Sequence, residues 1–232
     1  MLDHRQILRN ISECRDRIDA AMLRAGRRDR VELIGATKTQ SSELISFLNA
    51  SGALTHVGEN RVQELVDKYP YGDRLTWHMI GRLQTNKVKY VVDKAAMIHS
   101  LDRIALAQEI QKQADKRNLV VSCLIEVNMG SEISKGGIEP QELEAFACAL
   151  RAFPNIKIRG LMSVMPKTDD VANLIAMYRR LQRLFQSLAE YTVDPQAVDT
   201  LSCGMTNDYE IAIAEGGATA VRLGRVLFGA RE

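Results

Sequence analysis

The 232-residue sequence has few of the features that mark specialised protein classes. Aromatic residues make up only 5% of it, and its 31 basic and 29 acidic residues nearly cancel. A balanced charge creates no global field that would favour nucleic acid or an anionic membrane. No apolar segment approaches the length of a membrane span, and the first residues contain no apolar signal region. We therefore expect a soluble, cytoplasmic protein without a nucleic-acid or membrane partner.

Cysteine is also scarce, and sequence signatures for metals and nucleotides are missing. The four cysteines lie far apart, with no CxxC pair and no histidine cluster at metal-ligand spacing, which predicts reduced thiols and no metal site. No GxGxxG follows the first predicted strand, and Gly35-Ala36-Thr37-Lys38-Thr39 lacks the second glycine of a Walker sequence. These absences disfavour an open nucleotide-binding sheet. The cysteines are Cys14, Cys123, Cys148 and Cys203.

What the sequence does contain is a regular alternation of short apolar runs and amphipathic stretches. Residues 3 to about 25 have helical spacing, and so do the segments Ile104 to Lys116 and Val171 to Glu190. Parallel strands buried on both faces, eight in number, close naturally into a barrel. We therefore predict an α/β fold, a single (β/α)8 TIM-type barrel with an extra N-terminal helix, over residues 1–232 as one domain. The predicted strands are Leu33–Ala36, His56–Gly58, Trp77–Ile80, Met97–Ser100, Ser122–Val127, Ile158–Met162, Thr200–Ser202 and Ala220–Leu223.

Lys38 is the first candidate functional residue, because it ends the apolar run that begins at Val31. An amine at the carboxyl end of a buried strand is poorly solvated, which lowers its pKa and favours attack on an aldehyde. The alternative is a lysine that merely ends a strand in solvent. The local pattern leaves both interpretations open.

The loops after strands seven and eight are where a barrel of this type often binds phosphate. The first loop combines Ser202, Gly204 and Thr206 with the start of a helix, whose free N–H groups favour an anion. The alternative is a structural cap, in which Asn207 begins the helix and Glu210 closes a capping-box-like pair. Asp208 would repel a phosphate, so we expect its side chain to point away.

Arg222 lies within the last apolar strand, where an unpaired guanidinium is costly to bury. It either reaches a carboxylate for structural reasons or faces a ligand at the barrel mouth. A nucleophilic lysine, a phosphate loop and an inward arginine together describe a phosphorylated aldehyde. Pyridoxal phosphate fits that description.

Several stretches in the same order strongly resemble the pyridoxal phosphate homeostasis protein family, whose fold is like the N-terminal barrel of alanine racemase. The resemblance runs nearly from end to end of the chain. Its stretches are Gly35–Lys38, Gly58–Glu64, Trp77–Lys87, Val127–Asn128, Ser134–Ile138, Arg159–Met162, Leu201–Thr206, Arg222–Gly224 and Phe228–Arg231.

The resemblance implies that Lys38 forms an aldimine with pyridoxal phosphate and that Asn60 lies beside the cofactor. It places Arg222 by the pyridine nitrogen and implies a phosphate site completed by Gly224 and Arg225. Two positions depart from the family, which usually has Met at Cys203 and commonly Ser or Thr at Arg225. The residues implied around the phosphate are Ser202, Gly204, Met205 and Thr206.

The resemblance implies intracellular cofactor homeostasis without robust turnover, so we do not expect an enzyme. Arg222 cannot give up its proton and should keep the pyridine nitrogen unprotonated, which makes the ring a weak electron sink. We also expect no residues for a second domain like that of the racemases. The alternatives are a pyridoxal phosphate-dependent amino-acid racemase and a Schiff-base aldolase acting on a phosphorylated sugar.

The sequence also suggests secondary sites and partners. Lys87 and Lys135 are candidate amines for cofactor capture or release, and His78 is expected to support the site structurally. Apo-enzymes that require pyridoxal phosphate are candidate recipients, which the sequence does not identify. The chain is expected to be a monomer.

Overall fold

The computed structural model describes residues 3–130 and 136–229, and its centre is a closed barrel of eight parallel strands. Each strand pairs with the next along the chain, and β8 pairs with β1 to close the barrel. All eight predicted strands are present within one or two residues of the expected bounds, which confirms the predicted barrel. The strands are β1 (Glu32–Ala36), β2 (His56–Glu59), β3 (Thr76–Met79), β4 (Met97–Leu101), β5 (Val121–Glu126), β6 (Ile156–Met162), β7 (Thr200–Ser202) and β8 (Ala220–Leu223).

Helices surround the barrel, and the extra N-terminal helix precedes β1 as predicted. The regular alternation is weakest after β3, where a 3₁₀-helix over Thr85–Tyr90 replaces the α-helix, and after β8, where α8 has only four residues. The helices are α1 (His4–Arg24), α2 (Ser42–Ser51), α3 (Val62–Lys68), α4 (Ile104–Asp115), α5 (Leu143–Leu150), α6 (Val171–Tyr191), α7 (Tyr209–Gly216) and α8 (Arg225–Phe228).

The hydrophobic core has two parts, because each strand has one face towards the helices and one towards the barrel axis. The larger part lies between strands and helices and consists mostly of aliphatic residues. A separate small cluster of Met97, Leu124 and Met162 comes from β4, β5 and β6. On β4 the same face also presents His99, two residues after Met97, and His99 is completely buried. The barrel interior therefore combines a small apolar cluster with buried polar side chains.

The closure between β8 and β1 decides which loops meet at the carboxyl end. Ile34 is in register with Arg222, and Gly35 with Leu223. On the other side of β1, Ala36 is in register with Gly58 of β2. The loops after β1, β2, β7 and β8 are consequently neighbours, although almost the whole chain separates the first from the last. Within the described residues, no helix is both long enough and apolar enough to cross a membrane.

Candidate functional site

The structure brings the predicted site residues to one end of the barrel. Lys38 lies two residues beyond β1, and Asn60 directly follows β2; both are half-buried. Ser202 ends β7, and Gly204, Met205 and Thr206 follow it. Arg222 lies within β8, with Gly224 and Arg225 immediately after that strand. Their contacts with a cofactor stay a prediction, but their common location at this end is an observed feature of the fold.

The backbone on both sides of Lys38 is held by polar contacts with α3 and β2. Thr37 donates its N–H to the Gly58 carbonyl (3.0 Å) and its hydroxyl to Glu59 Oε1 (2.7 Å). The N–H of Thr39, which has a φ of 66°, donates to Glu64 Oε2 (2.6 Å). Residues before and after Lys38 are therefore fixed, which limits where the Lys38 side chain can start.

A buried lysine beneath residues 37–39, the Lys38 turn, connects the same groups, and no motif in the sequence marks it. Lys68 Nζ, from the end of α3, donates to the Thr37 carbonyl, Glu59 Oε1 and Glu64 Oε2, each at 2.9 Å. Burial raises the pKa of Glu59, against the opposing effects of Lys68 and Thr37. The only local signal in the sequence was the Glu64–Lys68 spacing of four residues, which is common on exposed helix faces.

The loop after β7 approaches its neighbours closely at Gly204, which has a φ of 91°. A Cβ at this position would lie 2.8 Å from Ala212 Cβ and 2.9 Å from Tyr209 Cα, so only glycine fits without movement. Asp208 accepts hydrogen bonds from the Tyr178 hydroxyl and from the Met205 N–H, both at 2.7 Å. Asp208 Oδ2 is thus directed to α6, but Oδ1 occupies the N–H of Met205, a residue of the predicted phosphate loop, so only one oxygen of the carboxylate points away from that loop.

The alternative in which Asn207 caps the helix is wrong. Asp208, not Asn207, precedes α7, and it makes no side-chain cap hydrogen bond. Glu210 pairs with Arg17 and Arg24 of α1 instead of closing a capping box. These long-range ion pairs compete with the local pattern and could not be read from its spacing.

Arg225, one of the two departures from the family pattern, is exposed and donates from Nη2 to Asn207 Oδ1 (2.7 Å). This hydrogen bond joins the loop after β8 to the loop after β7. Cys203, the other departure, is fully buried, and burial raises the pKa of its thiol to about 12. Cys203 therefore contributes to packing outside the barrel lumen, while Arg225 lies at the predicted phosphate loops.

Arg222 is deeply buried, and its described hydrogen-bond partners are neutral. Its Nη1 donates to Ser202 Oγ (2.5 Å) and its Nη2 to the Ser163 carbonyl (2.9 Å). Burial lowers its pKa, but a guanidinium starts so high that it stays charged. The two structural partners use two of its five donor hydrogens, which leaves capacity for a further acceptor. The Ser202 hydroxyl is correspondingly engaged inside the barrel, so its predicted phosphate contact would compete with Arg222.

Two further features near the site were missed by sequence reasoning. Three histidines continue from Ser202 into the barrel, and the sequence predicted a supporting role for His78 alone among them. Glu126, at the end of β5, has an Oε2 atom that is buried without a hydrogen-bond partner. Burial, followed by the charge of Asp102, raises the pKa of Glu126 to about 7. The signal in the sequence was the alternation of side chains along a strand: alternate residues of β3 and β4 face the lumen, which places His78 and His99 inside the barrel.

Of the two candidate secondary amines, the structure describes the surroundings of Lys87. Lys87 lines a cavity of about 980 Å³ that extends from Asn60 along the carboxyl end, and its Nζ lies 5.6 Å from the centre of the Tyr90 ring. Lys135 lies outside the described residues. The arrangement as a whole offers an amine, a buried guanidinium and a glycine-containing loop at one barrel mouth, which suits a ligand with an aldehyde and an anionic group.

Comparison with known proteins identifies relatives over nearly the whole chain. Residues 7–232 match the family described as alanine racemase, N-terminal domain. The chain is 46% identical over 227 residues to the protein of Aquifex aeolicus (strain VF5) named pyridoxal phosphate homeostasis protein, which covers 96% of this chain and 97% of that protein.

Solved structures agree with this relationship. An unknown protein from Bifidobacterium adolescentis superposes with a TM-score of 0.89 at 32% identity, covering 98% of each chain. PipY of Synechococcus elongatus PCC7942, solved with PLP bound, superposes with a TM-score of 0.78 at 31% identity, covering 92% of this chain and 99% of that one. This chain therefore belongs to the pyridoxal phosphate homeostasis protein family.

Proposed function

We propose that this protein binds pyridoxal phosphate, holds it through an aldimine to Lys38, and acts in intracellular cofactor homeostasis without robust turnover. The observation that carries the proposal is the closure of β8 on β1, which puts the Lys38 turn beside the loops that follow Arg222 and Ser202. The relatives' name and the PLP-bound PipY structure support the same ligand.

The Lys38 turn suits a covalent attachment point because its backbone is restrained. Thr37 and Thr39 are both hydrogen-bonded to neighbouring elements, and Lys68 supports both contacts from below. A restrained backbone reduces the conformational freedom that the lysine loses when it bonds to an aldehyde. Asn60, one residue past the strand that pairs with β1, would lie beside the ligand.

The loops after β7 and β8 supply the groups proposed to hold the phosphate. Gly204 permits a close backbone approach, and Asp208 Oδ2 is directed to Tyr178 of α6. The Met205 N–H already donates to Asp208, so the backbone of Thr206 and Gly224 and the guanidinium of Arg225 are the better-placed donors. Charge-assisted hydrogen bonds contribute about 1.5–3 kcal/mol each, so a few of them could retain the cofactor without the covalent link.

Arg222 is proposed to face the pyridine nitrogen and to favour a carrier over a catalyst. A guanidinium can only donate, so it leaves the ring nitrogen unprotonated. When bound, pyridoxal phosphate supplies an aldehyde and an electron-accepting ring, and the ring accepts electrons poorly in that state. The free thiols, none of them paired, also suit the reducing interior of a cell, where cofactor-requiring apo-enzymes would be the recipients.

The test is the visible absorbance of protein incubated with pyridoxal phosphate and then freed of unbound cofactor. We expect an aldimine band in the wild type and in Lys112→Ala, a control at an exposed lysine of α4, and none in Lys38→Ala. A colourless wild type would refute the covalent part of the proposal. If the phosphate loops hold the cofactor without the covalent link, Lys38→Ala should still bind some pyridoxal phosphate in equilibrium dialysis.

The second candidate is an amino-acid racemase, which the match to the alanine racemase N-terminal domain favours. It predicts robust interconversion of amino-acid enantiomers by the loaded protein, lost in Lys38→Ala. Chiral analysis after incubation with a mixture of amino acids decides between the two. Turnover at the rate of an ordinary enzyme would replace the homeostasis proposal.

A further inference from the structure

A continuous line of polar contacts crosses the barrel interior from Arg222 towards its amino end. His99 Nδ1 lies 3.1 Å from Ser202 Oγ, and His99 Nε2 lies 2.9 Å from His78 Nδ1. His78 Nε2 lies 3.0 Å from His56 Nδ1, and His56 Nε2 lies 3.3 Å from Glu32 Oε2. We call His56, His78 and His99 the histidine array. It connects a buried guanidinium at one end of the barrel to a carboxylate at the other.

The three imidazoles of the array are neutral at neutral pH. Burial lowers the pKa of His99 well below its ordinary value and lowers that of His78 to about 3. Burial also lowers the pKa of His56, against the opposing charge of Glu32 and with the help of Arg30. A neutral imidazole has one N–H and one lone pair, so each ring can donate on one side only.

The Glu32 end imposes one direction on the whole array. Glu32 Oε2 lies 3.3 Å from His56 Nε2 in an ion-pair contact, and a carboxylate repels a lone pair, so His56 presents its Nε2–H to Glu32 and its Nδ1 lone pair to His78. His78 must then donate from Nε2 and accept at Nδ1, and the same holds for His99. The final acceptor, His99 Nδ1, takes the hydroxyl hydrogen of Ser202.

The Arg222 end imposes the same direction independently. Arg222 only donates, so Ser202 Oγ accepts from it at 2.5 Å. The Ser202 hydroxyl hydrogen is then directed to His99 Nδ1, which makes His99 a donor through Nε2. The reverse direction would place a lone pair of His56 against the carboxylate of Glu32. Both charged ends therefore select the Nε2–H tautomer in all three rings.

We propose that Glu32, His56, His78 and His99 are positioning residues for Arg222, in which a single hydrogen-bond direction runs from the guanidinium to His56 and is fixed at its far end by the Glu32 carboxylate in contact with His56 Nε2. The array fixes the Ser202 hydroxyl as an acceptor for Nη1, and the Ser163 carbonyl fixes Nη2. The guanidinium plane is thereby set before any ligand arrives. Its relevance to a cofactor ring rests on the proposed function, whereas the direction of the array does not.

Other charged groups at the amino end do not break this pattern. Arg30 lies 3.5 Å from Glu32, and Arg159 pairs with Asp199; these four residues and His56 line a cavity of about 370 Å³. Arg159 is committed to Asp199, so Glu32 is the carboxylate within reach of His56 Nε2. Asp199 therefore provides a matched control, a carboxylate in the same cavity that is outside the array.

The direct test is ¹⁵N NMR of the histidine side chains in cofactor-free protein at neutral pH. We expect the neutral Nε2–H signature for His56, His78 and His99. An Nδ1–H tautomer or a charged ring at any of the three would overturn the proposal. Because no cofactor is present, this result is independent of whether the protein binds pyridoxal phosphate.

Charge removal at the two ends tests whether they select the direction. In Glu32→Gln and in Arg222→Gln the remaining charged end should preserve the single tautomer of His78. The double variant Glu32→Gln/Arg222→Gln should lose it and show both tautomers, whereas Asp199→Asn/Arg222→Gln should keep it. If Glu32→Gln/Arg222→Gln keeps a single tautomer, the two charged ends do not select the tautomer of the array. If this double variant does not fold, the measurement on the wild type decides the proposal.

The positioning of Arg222 is tested by cutting the array at its centre. His78→Phe should make the guanidinium hydrogens of Arg222 exchange with solvent about five- to tenfold faster, the factor expected for roughly one lost hydrogen bond. The control is His4→Phe, at a histidine that stacks on Phe47 of α2 away from the barrel interior. An unchanged exchange rate in folded His78→Phe would show that the array does not hold Arg222.

Discussion

The lysine buried beneath the Lys38 turn offers the sharpest test of how this site is built. In Lys68→Met the side chain keeps roughly its volume but loses the ammonium that donates to the Thr37 carbonyl, Glu59 and Glu64. The Thr37 hydroxyl remains as a donor to Glu59. The Glu59 side chain is completely buried, so water cannot replace the lost cation.

The expected magnitude follows from what Glu59 can do without its partner. The carboxylate can avoid an unpaired charge by taking up a proton, which at pH 7 costs about 3–4 kcal/mol for an acid of ordinary pKa. Removing one partner of a buried ion pair typically costs about 3–5 kcal/mol, in agreement with that limit. Glu64 is partly exposed and regains water, so it adds little. We expect Lys68→Met to lower the free energy of unfolding by about 3–4 kcal/mol at pH 7.

The effect should depend on pH with a definite sign. In the variant, the pKa of Glu59 is raised further in the folded state, so the folded protein binds more protons than the unfolded chain above the unfolded pKa. Relative to the wild type, the variant's stability therefore falls as pH rises, and at pH 5 the loss should shrink to about 1 kcal/mol. Urea unfolding at both pH values, followed by circular dichroism, measures it.

Two companion variants make this result interpretable. Lys68→Met/Glu59→Gln removes the buried charge, so it should recover part of the stability and lose the pH dependence. Lys112→Met, at an exposed lysine near Glu109, should change stability by less than about 0.5 kcal/mol. A Lys68→Met loss below about 1 kcal/mol at pH 7, or one that is equal at both pH values, would refute this account of the network.

Three further predictions follow from other parts of the fold. Gly160→Ala should destabilise the protein by about 3 kcal/mol or more in urea unfolding, because a Cβ there, at a φ of 148°, would lie 1.8 Å from the Thr200 carbonyl oxygen. Burial raises the pKa of Glu126 to about 7, so this group by itself makes stability fall as pH rises from 5 to 8, against the opposite contribution of the buried neutral histidines. The stability of Glu126→Gln relative to the wild type should therefore rise by about 1–2 kcal/mol over that range, and an equal slope in both proteins would contradict the assignment. Iodoacetamide should label exposed Cys148 in the native protein and spare buried Cys14, Cys123 and Cys203, as mass spectrometry of peptides can establish.

Local sequence patterns were enough to predict the strands of the barrel, but they gave a wrong prediction where long-range contacts replace local hydrogen bonds. Each strand is a short segment with apolar residues, set between amphipathic or turn-rich stretches, and this signal does not depend on its neighbours in the barrel, so all eight were predictable. The Asn207 cap was a local inference too, yet Glu210 is drawn to Arg17 and Arg24 of α1, and Asp208 to Tyr178 of α6. Those partners are distant in sequence, and the spacing of the loop residues contains no information about them.

The candidate site likewise has features that the sequence determined and features that only the tertiary structure decided. The sequence by itself determined the strand–helix alternation, the lysine after β1 and the polar loops after β7 and β8, because strand periodicity and loop composition are properties of short segments. Only the tertiary structure decided that these loops meet, since the β8–β1 register brings residues nearly two hundred positions apart into one neighbourhood. It also decided the partners of Arg222 and the support of the Lys38 turn by Lys68. Hydrogen bonds and buried charges depend on which side chains the closed barrel brings within about 3 Å of each other, a geometry that exists only once the barrel has formed.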